Sequence, residues 1–260
     1  MSRGWSWLTF LSDPLFQKIL VNTIRESTHL FASSPYPPQT GDSNTWQGLP
    51  VIADEVFTGF YRLGRVTAST LIGAQPDISV HAKLLTGGLL PLSATLASDS
   101  IFDSFQSDDK SDALLHGHSY TAHAVGCQVA LESLKQMGKM IESGAQLWIR
   151  DGVTNSRGRV SWSMWPKEFV DWIAERKDRV EGVWALGCVL AIHMKSADGA
   201  GYKSTAAVEL KAKLAEGENE SDGRWNLHSR VLGNVFYLMG SLKTGKQDLE
   251  RLEGMVRRIL

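Results

Sequence analysis

The sequence contains little cysteine, no long apolar run and almost no excess of either charge. Its two cysteines, Cys127 and Cys188, each lie among apolar residues, which favours buried free thiols in a reducing compartment over a disulfide. No stretch reaches the roughly 20 apolar residues of a transmembrane helix, so we expect no membrane partner. The formal net charge of −1 and the lack of Lys/Arg blocks argue against nucleic acid as the main partner.

What is present is the pattern of a globular protein in which strands and helices alternate. The 260 residues are 43% hydrophobic and 21% charged, which suits one large domain or two smaller ones. The order of the elements predicts an α/β layer over residues 1–150 and a smaller α+β unit over residues 151–260. Asp13 is the predicted N-cap of the first helix and Pro14 its first residue. The other predicted elements are helices over 122–138, after Pro166 and over 247–260, strands over 51–53, 77–81, 92–97, 183–194 and 235–239, and an exposed turn over 216–224.

A proline-rich segment separates the first helix, which should fade near His29, from the first strand. Residues 33–50 contain four prolines and two glycines among polar residues. Proline fixes φ and removes a backbone donor, and a connection of this length is unusual in a compact α/β unit. We therefore predict a flexible insertion over 33–50.

An acidic residue and a lysine follow two of the predicted strands. Asp54 ends the apolar run 51–53, and Lys83 follows 29 positions later in the sequence VHAKLLTGG. Carboxylates at the carboxyl ends of parallel strands face the ligand crevice of an open α/β sheet, where one could hold a protonated ring nitrogen. A lysine desolvated between Ala82 and Leu84 would be a nucleophilic amine. Alternatively, Asp54 caps the next helix and Lys83 extends into solvent.

A polar segment, His116–His123 (HGHSYTAH), leads directly into the helix predicted from Ala122. Hydroxyl groups and free amides before a helix N-terminus can bind phosphate. Its three histidines could also indicate a metal site, but no carboxylate or cysteine lies at ligand spacing. We therefore predict no metal. The apolar face of the following helix is predicted from spacings of three and four: Ala124, Cys127, Leu131 and Leu134.

Arg230 precedes the predicted strand 235–239. A guanidinium at the entry to a buried strand can bind a carboxylate through two parallel hydrogen bonds. The alternative is an ordinary surface arginine. The residues alone leave both interpretations open.

Together these motifs resemble a known family, the class III pyridoxal-phosphate aminotransferases of fold type I. The resemblance rests on IADEVFTGFYRLG, PDI-x3-K-x2-TGG, LSATLAS, HGHSYTAH and RVLGNVFYLM, which occur here in the family's order. It covers about residues 12–28, 50–140 and 183–260 and corresponds to the C-terminal portion of a family member. It implies a partial large domain of fold type I followed by a small α+β domain. Within the family, the motifs are most similar to the branch that makes 7,8-diaminononanoate in biotin synthesis.

The resemblance also implies roles for individual residues. Asp54 would pair with the ring nitrogen of pyridoxal 5′-phosphate, and Lys83 would form the Schiff base with it and carry the proton during the 1,3-shift. Gly117 and Ser119 would reach across a homodimer, Ser119 to the neighbouring cofactor phosphate and Gly117 to cofactor and substrate. Arg230 would bind the substrate carboxylate.

The implied reaction transfers an amino group from S-adenosylmethionine to 8-amino-7-oxononanoate, in mitochondria or cytoplasm. Two alternatives are a non-catalytic fragment or interaction module, and another class III aminotransferase that acts on an ornithine- or GABA-like amine. The HGHSYTAH and LSATLAS runs favour the biotin branch over the latter.

Overall fold

The computed structural model describes residues 13–26, 49–115, 117–143 and 163–260 except 198, 200, 221 and 222, and the backbone of 153–154 and 160–161. Most of the predicted insertion over 33–50, the end of the first helix near His29, and His116 therefore lie outside the described residues. The chain divides into two compact units. The N-terminal unit contains the described residues of 12–61 and 65–145, and the C-terminal unit those of 62–64 and 146–260.

Among its described residues, the N-terminal unit contains a three-stranded sheet and three α-helices. Strand order is β1-β2-β3, with β2 parallel to β1 and antiparallel to β3. Short 3-10 helices follow β1 and β2 and precede the longest helix. In chain order the elements are α1 (Pro14–Glu26), β1 (Ile52–Asp54), a 3-10 helix (Ala68–Leu71), β2 (Ile78–His81), a 3-10 helix (Lys83–Leu85), β3 (Ala94–Ala97), α2 (Asp99–Asp103), a 3-10 helix (Lys110–Asp112) and α3 (Ala124–Glu142).

Helix α1 begins as its sequence predicts. Asp13 Oδ1 accepts hydrogen bonds from the Leu15 amide at 2.7 Å and the Phe16 amide at 3.3 Å, which satisfies two amides of the first turn. At the other end, the Arg25 guanidinium forms an ion pair with the buried Asp77 carboxylate at 3.1 Å. Asp77 Oδ2 also accepts the Val51 amide at 2.7 Å. Asp77 thus fixes the end of α1 to the starts of β1 and β2.

The C-terminal unit is built on a four-stranded antiparallel sheet of order β10-β11-β7-β6. Two small hairpins, β4–β5 and β8–β9, accompany it. Its elements are β4 (Val153–Thr154), β5 (Val160–Ser161), α4 (Lys167–Ala174), β6 (Val180–Leu186), β7 (Val189–Met194), α5 (Val208–Glu216), β8 (Glu218–Glu220), β9 (Gly223–Trp225), β10 (Arg230–Leu232), β11 (Val235–Met239) and α6 (Lys246–Ile259).

The two units differ in how well they bury their apolar side chains. Among the residues that the structure describes, the large side chains that are almost completely buried all belong to the C-terminal unit, for example Trp165, Phe169 and Phe236. Of the 21 large apolar side chains that are exposed among the described residues, 17 belong to the N-terminal unit. The core of the C-terminal unit is therefore well closed, and that of the N-terminal unit is not.

Three sequence predictions are wrong in detail. The predicted single strand over 183–194 is a hairpin, β6–β7, that turns at Gly187. The predicted exposed turn over 216–224 is instead the end of α5 followed by the antiparallel strands β8 and β9. The predicted apolar face of α3 has the wrong phase, because Leu131 and Leu134 are exposed, whereas the residues that α3 buries are Gly126, Ala130 and Met137.

The two cysteines are free thiols, as predicted, but only one is buried. Cys188 lies in the C-terminal unit, where burial raises the pKa of its thiol to about 11. Cys127 is exposed on α3, contrary to the prediction, because α3 buries a different face. In the part of the chain that the structure describes, no helix is long and apolar enough to cross a membrane.

Candidate active site

Asp54 is the last residue of β1, at the carboxyl end of the parallel pair β1–β2. Its side chain is exposed, and Oδ1 accepts a hydrogen bond from the Val56 amide at 3.0 Å. This local turn orders the carboxylate and resembles the capping alternative considered above, although Asp54 precedes a turn, not an α-helix. The bond occupies one lone pair of Oδ1, so the carboxylate retains acceptor capacity.

Lys83 begins the 3-10 turn that follows β2 by one residue. Its φ is +49°, in the left-handed region that non-glycine residues seldom occupy. The turn is held from outside, since Ser133 Oγ of α3 donates to the Leu84 carbonyl at 2.9 Å and Thr86 Oγ1 donates to the Leu90 carbonyl at 2.6 Å. Strained backbone that its surroundings maintain is typical of functional positions.

The strand register brings Asp54 and Lys83 to the same edge of the sheet. Asp54 is opposite Val80 of the neighbouring strand, and Lys83 follows Val80 by three residues. Neighbouring strands lie about 4.8 Å apart. Asp54 ends β1 and Lys83 follows the end of β2, so both residues lie at the carboxyl ends of adjacent strands. This edge thus presents an exposed carboxylate, which can accept a hydrogen bond from a protonated ring nitrogen, and an exposed primary amine, which can form a Schiff base. The sequence predicted that Lys83 is desolvated between Ala82 and Leu84. This prediction is wrong, since the Lys83 side chain is exposed.

Glu55, which the sequence analysis did not single out, is a buried acid that accepts three hydrogen bonds. Its side chain is buried; Oε1 accepts the Ser69 amide at 2.8 Å, and Oε2 accepts the Ala68 amide at 3.0 Å and the Thr58 hydroxyl. Glu55 thereby caps the 3-10 helix Ala68–Leu71, which follows β1 in the chain. The available sequence signal is an acid beside Val56 and Phe57, where burial demands partners.

We predict that Glu55→Gln destabilises the N-terminal unit by about 2–3 kcal/mol, because one amide of the 3-10 helix then faces an NH₂ group and loses its acceptor. The free energy of urea unfolding measures the loss, and hydrogen exchange should quicken at the Ala68 and Ser69 amides. Asp54→Asn is the matched control: it alters the neighbouring exposed acid and should change stability by less than about 1 kcal/mol. Equal effects of the two substitutions would contradict this role of Glu55.

The segment before α3 is exposed at Gly117 and Ser119. His123 Nδ1 accepts the Gly126 amide at 3.0 Å and so caps α3 with a side chain. Ala122, directly before this cap, has φ +56°, and the unit has two further non-glycine residues with left-handed φ, Phe60 and Tyr61. Among the described residues no group of three or more metal-ligating side chains gathers, and His116 is outside them.

Arg230 opens β10 in the C-terminal unit and has an exposed side chain. It is paired across the sheet with Tyr237 of β11. Burial raises the pKa of Tyr237, and the charges of Arg230 and Arg62 act in the opposite direction. Burial in turn lowers the pKa of Arg62, which is 5% exposed. Arg230 and Arg62 thus both act electrostatically on Tyr237, but only Arg230 is exposed, whereas Arg62 is buried and donates to Met239 Sδ.

Comparison with known proteins identifies the family to which these motifs belong. The family described as aminotransferase class III matches residues 43–148. A bifunctional dethiobiotin synthetase/adenosylmethionine-8-amino-7-oxononanoate aminotransferase of Emericella nidulans is 49% identical over 254 residues, which are 95% of this chain and 31% of that protein. The mitochondrial bifunctional dethiobiotin synthetase/7,8-diamino-pelargonic acid aminotransferase of Arabidopsis thaliana is 40% identical over 92% of this chain and 24% of its own length.

Solved structures agree on the fold. The crystal structure of adenosylmethionine-8-amino-7-oxononanoate aminotransferase from Methanocaldococcus jannaschii superposes with a TM-score of 0.61 at 27% identity, covering 80% of this chain and 44% of that one. The chain spans less than half of this solved relative and a third or less of the bifunctional ones. The fold is that of the pyridoxal-phosphate aminotransferases of fold type I, in part. Residues 43–148 of this chain are similar in sequence to the class III aminotransferases.

Proposed function

We propose that this chain is the C-terminal part of a pyridoxal-phosphate-dependent aminotransferase of biotin synthesis. The reaction would transfer an amino group from S-adenosylmethionine to 8-amino-7-oxononanoate and yield 7,8-diaminononanoate. The observation that carries the proposal is the meeting of Asp54 and Lys83 at one edge of a parallel strand pair, inside the region that matches class III aminotransferases. The long relatives support the substrate, since the names of those from Emericella nidulans and Arabidopsis thaliana refer to this amino transfer.

Pyridoxal phosphate, when bound, supplies an electron sink for the carbanion that forms as a proton leaves the substrate carbon. Asp54 would keep the ring nitrogen protonated by pairing with it, a role that a solvent-facing carboxylate at a strand end can perform. Lys83 Nζ would hold the cofactor covalently and move the proton between the two carbons of the shift. The strained turn at Lys83, fixed by Ser133, would orient that amine.

The remaining roles are proposed on the same basis. Arg230, with Tyr237 and Arg62 nearby, would bind the carboxylate of 8-amino-7-oxononanoate. Gly117 and Ser119 would contact the cofactor of a second subunit in a homodimer, for which their exposure before α3 is suitable. We also propose that the large domain is 1–150 and the small one 151–260. The Arabidopsis relative is named as mitochondrial, and a mitochondrial or cytoplasmic location is proposed here.

The proposal is tested by product analysis. The purified chain, with pyridoxal phosphate and with the preceding aminotransferase segment of the Emericella nidulans protein supplied, should convert 8-amino-7-oxononanoate to the diamine when S-adenosylmethionine is present. Mass spectrometry would detect the diamine. Ornithine and 4-aminobutyrate serve as competing donors with a 2-oxo acid acceptor. Preferential transfer from either of them, or no transfer by an assembly that binds cofactor, would contradict the proposal.

A further inference from the structure

His81, the last residue of β2, is a buried histidine that the proposed chemistry does not use. Its side chain is 4% exposed, and strand alternation places it on the opposite face of the sheet from Val80 and Asp54. The ring Nε2 and the Ser79 hydroxyl share a hydrogen bond of 3.0 Å. Among the described residues, none hydrogen-bonds the ring Nδ1, although that atom is buried. An unpartnered buried nitrogen costs stability, so its retention calls for a role other than stabilising the fold.

The ring of His81 contacts the segment that follows Asp54 in the chain. Its centroid lies 5.2 Å from that of the Phe60 ring, and the two rings are tilted by 50°. Gly59 allows this approach, because a Cβ there would lie 3.2 Å from His81 Nδ1 and 2.8 Å from the Glu55 carbonyl oxygen. Phe60 is itself buried and has φ +56°. The imidazole therefore packs against a left-handed residue of the segment that begins at Asp54.

The same histidine lies two positions before Lys83. Ala82, between them, is extended, with φ −158° and ψ −151°, and Lys83 follows with φ +49°. The position of Lys83 therefore depends on where His81 is held. On the other side of the turn, Ser133 Oγ donates to the Leu84 carbonyl at 2.9 Å. A left-handed residue persists where its surroundings fix it on both sides, and His81 is the fixed residue on the side of β2.

We propose that His81 is a positioning residue, whose buried ring fixes the spacing between the Lys83 turn and the segment that follows Asp54. It acts through the backbone that leads to Lys83, and not by contact with cofactor or substrate. The inference rests on the proposed function for the roles of Lys83 and Asp54. The spacing itself is a property of the chain without cofactor, so it can be measured separately from turnover.

His81→Leu separates positioning from stability, because leucine fills a similar volume and removes the unpartnered nitrogen together with the ring. The midpoint of urea unfolding of the full chain should change little, since loss of the bond to the half-buried Ser79 hydroxyl is offset by removal of Nδ1. The turn itself should loosen. We expect hydrogen exchange of the Leu85 and Thr86 amides, which bond within the Lys83 turn, to quicken about tenfold, the factor for one net hydrogen bond.

The protein assembled with the preceding Emericella nidulans segment and pyridoxal phosphate provides the second readout. In His81→Leu, attachment of the cofactor to Lys83, measured by borohydride reduction and peptide mapping, should weaken about tenfold. The kcat of amino transfer should fall by a similar factor, while KM for 8-amino-7-oxononanoate stays within about twofold, because His81 does not contact the substrate. His81→Gln retains a side-chain amide that can reach the Ser79 hydroxyl and should recover most of the loss. Gln106→Leu introduces the same side chain at an exposed position of this unit and should change neither readout.

Two results would overturn the proposal. One is unchanged exchange of the turn amides in His81→Leu, a measurement that needs no cofactor. The other is equal loss of attachment in His81→Gln and His81→Leu together with a lowered unfolding midpoint, because His81 would then serve stability alone. Attachment of the cofactor to another lysine in the unsubstituted protein would instead refute the proposed function, and the exchange result alone would then decide whether His81 fixes the turn.

Discussion

Lys83→Ala is expected to abolish covalent attachment of pyridoxal phosphate and to lower amino transfer by more than about 100-fold, the lower range of the contribution of a positioned proton-transfer group. The reason is chemical, because alanine has no amine to form the Schiff base. The exposed side chain makes little contribution to stability, so unfolding should change by no more than about 0.5 kcal/mol. Visible absorption of the lysine-bound cofactor, and borohydride reduction followed by peptide mapping, measure attachment in the assembled protein.

A second substitution at the same position separates chemistry from backbone strain. Lys83→Gly should lose attachment equally but raise the free energy of unfolding by about 1 kcal/mol, because glycine adopts φ +49° without the left-handed penalty. Lys110→Ala, an exposed lysine of another 3-10 turn in the same unit, is the control and should retain full attachment. Recovery of the reduced cofactor on any other lysine peptide would refute the assignment of Lys83.

The parts of the fold that depend on neighbours in sequence were predictable. The Asp13 carboxylate caps α1 by accepting from amides only two and three residues later. This cap needs no distant partner, so the local sequence predicts it. Strands β2 and β11 follow from short apolar runs between turn residues. Asp54 and Lys83 could be assigned to strand ends, and the observed β1–β2 register brings those ends together.

The rest depends on tertiary contacts that no local pattern contains. Glu55 is buried only because the 3-10 helix at Ala68 returns to it, 13 residues later. The charge of Arg62 acts on Tyr237, although most of the chain lies between these two residues in sequence. The prediction of the buried face of α3 was wrong, because the most apolar stripe of this helix, with Leu131 and Leu134, is exposed. Another face of the helix packs within this chain. Hydrophobicity alone identifies an apolar surface but not the partner that buries it. That partner can be another segment.

The hairpin β6–β7 is the clearest case in which one residue decides the local fold. The run 183–194 is apolar enough for one strand, but Gly187 has φ +57° and reverses the chain. Its carbonyl accepts the Met164 amide at 2.9 Å, and the next amide, of Cys188, donates to the Arg62 carbonyl at 2.9 Å. The turn therefore holds Arg62 against the sheet of the C-terminal unit.

Gly187→Ala is expected to destabilise the C-terminal unit by more than about 4 kcal/mol, in the range reserved for severe core disruption. A Cβ at this position would lie 2.1 Å from the Arg62 carbonyl oxygen and 2.5 Å from Leu63 Cα, and both are backbone atoms that no rotamer change can move. The left-handed φ adds its own penalty. Denaturant unfolding followed by tryptophan fluorescence measures the loss, since Trp165 and Trp184 lie in this unit.

Gly182→Ala is the matched control, since it makes the same chemical change in the same hairpin at a position with nothing within 4 Å of the added Cβ. It should alter stability by less than about 1 kcal/mol, and in the stabilising direction, because alanine restricts the unfolded chain. The displaced Arg62 in Gly187→Ala should also weaken carboxylate binding at Arg230 in any molecules that remain folded. If both glycines tolerate alanine equally, the segment 62–64 is not held against the hairpin as the structure has it, and the guanidinium pair around Tyr237 loses its structural basis.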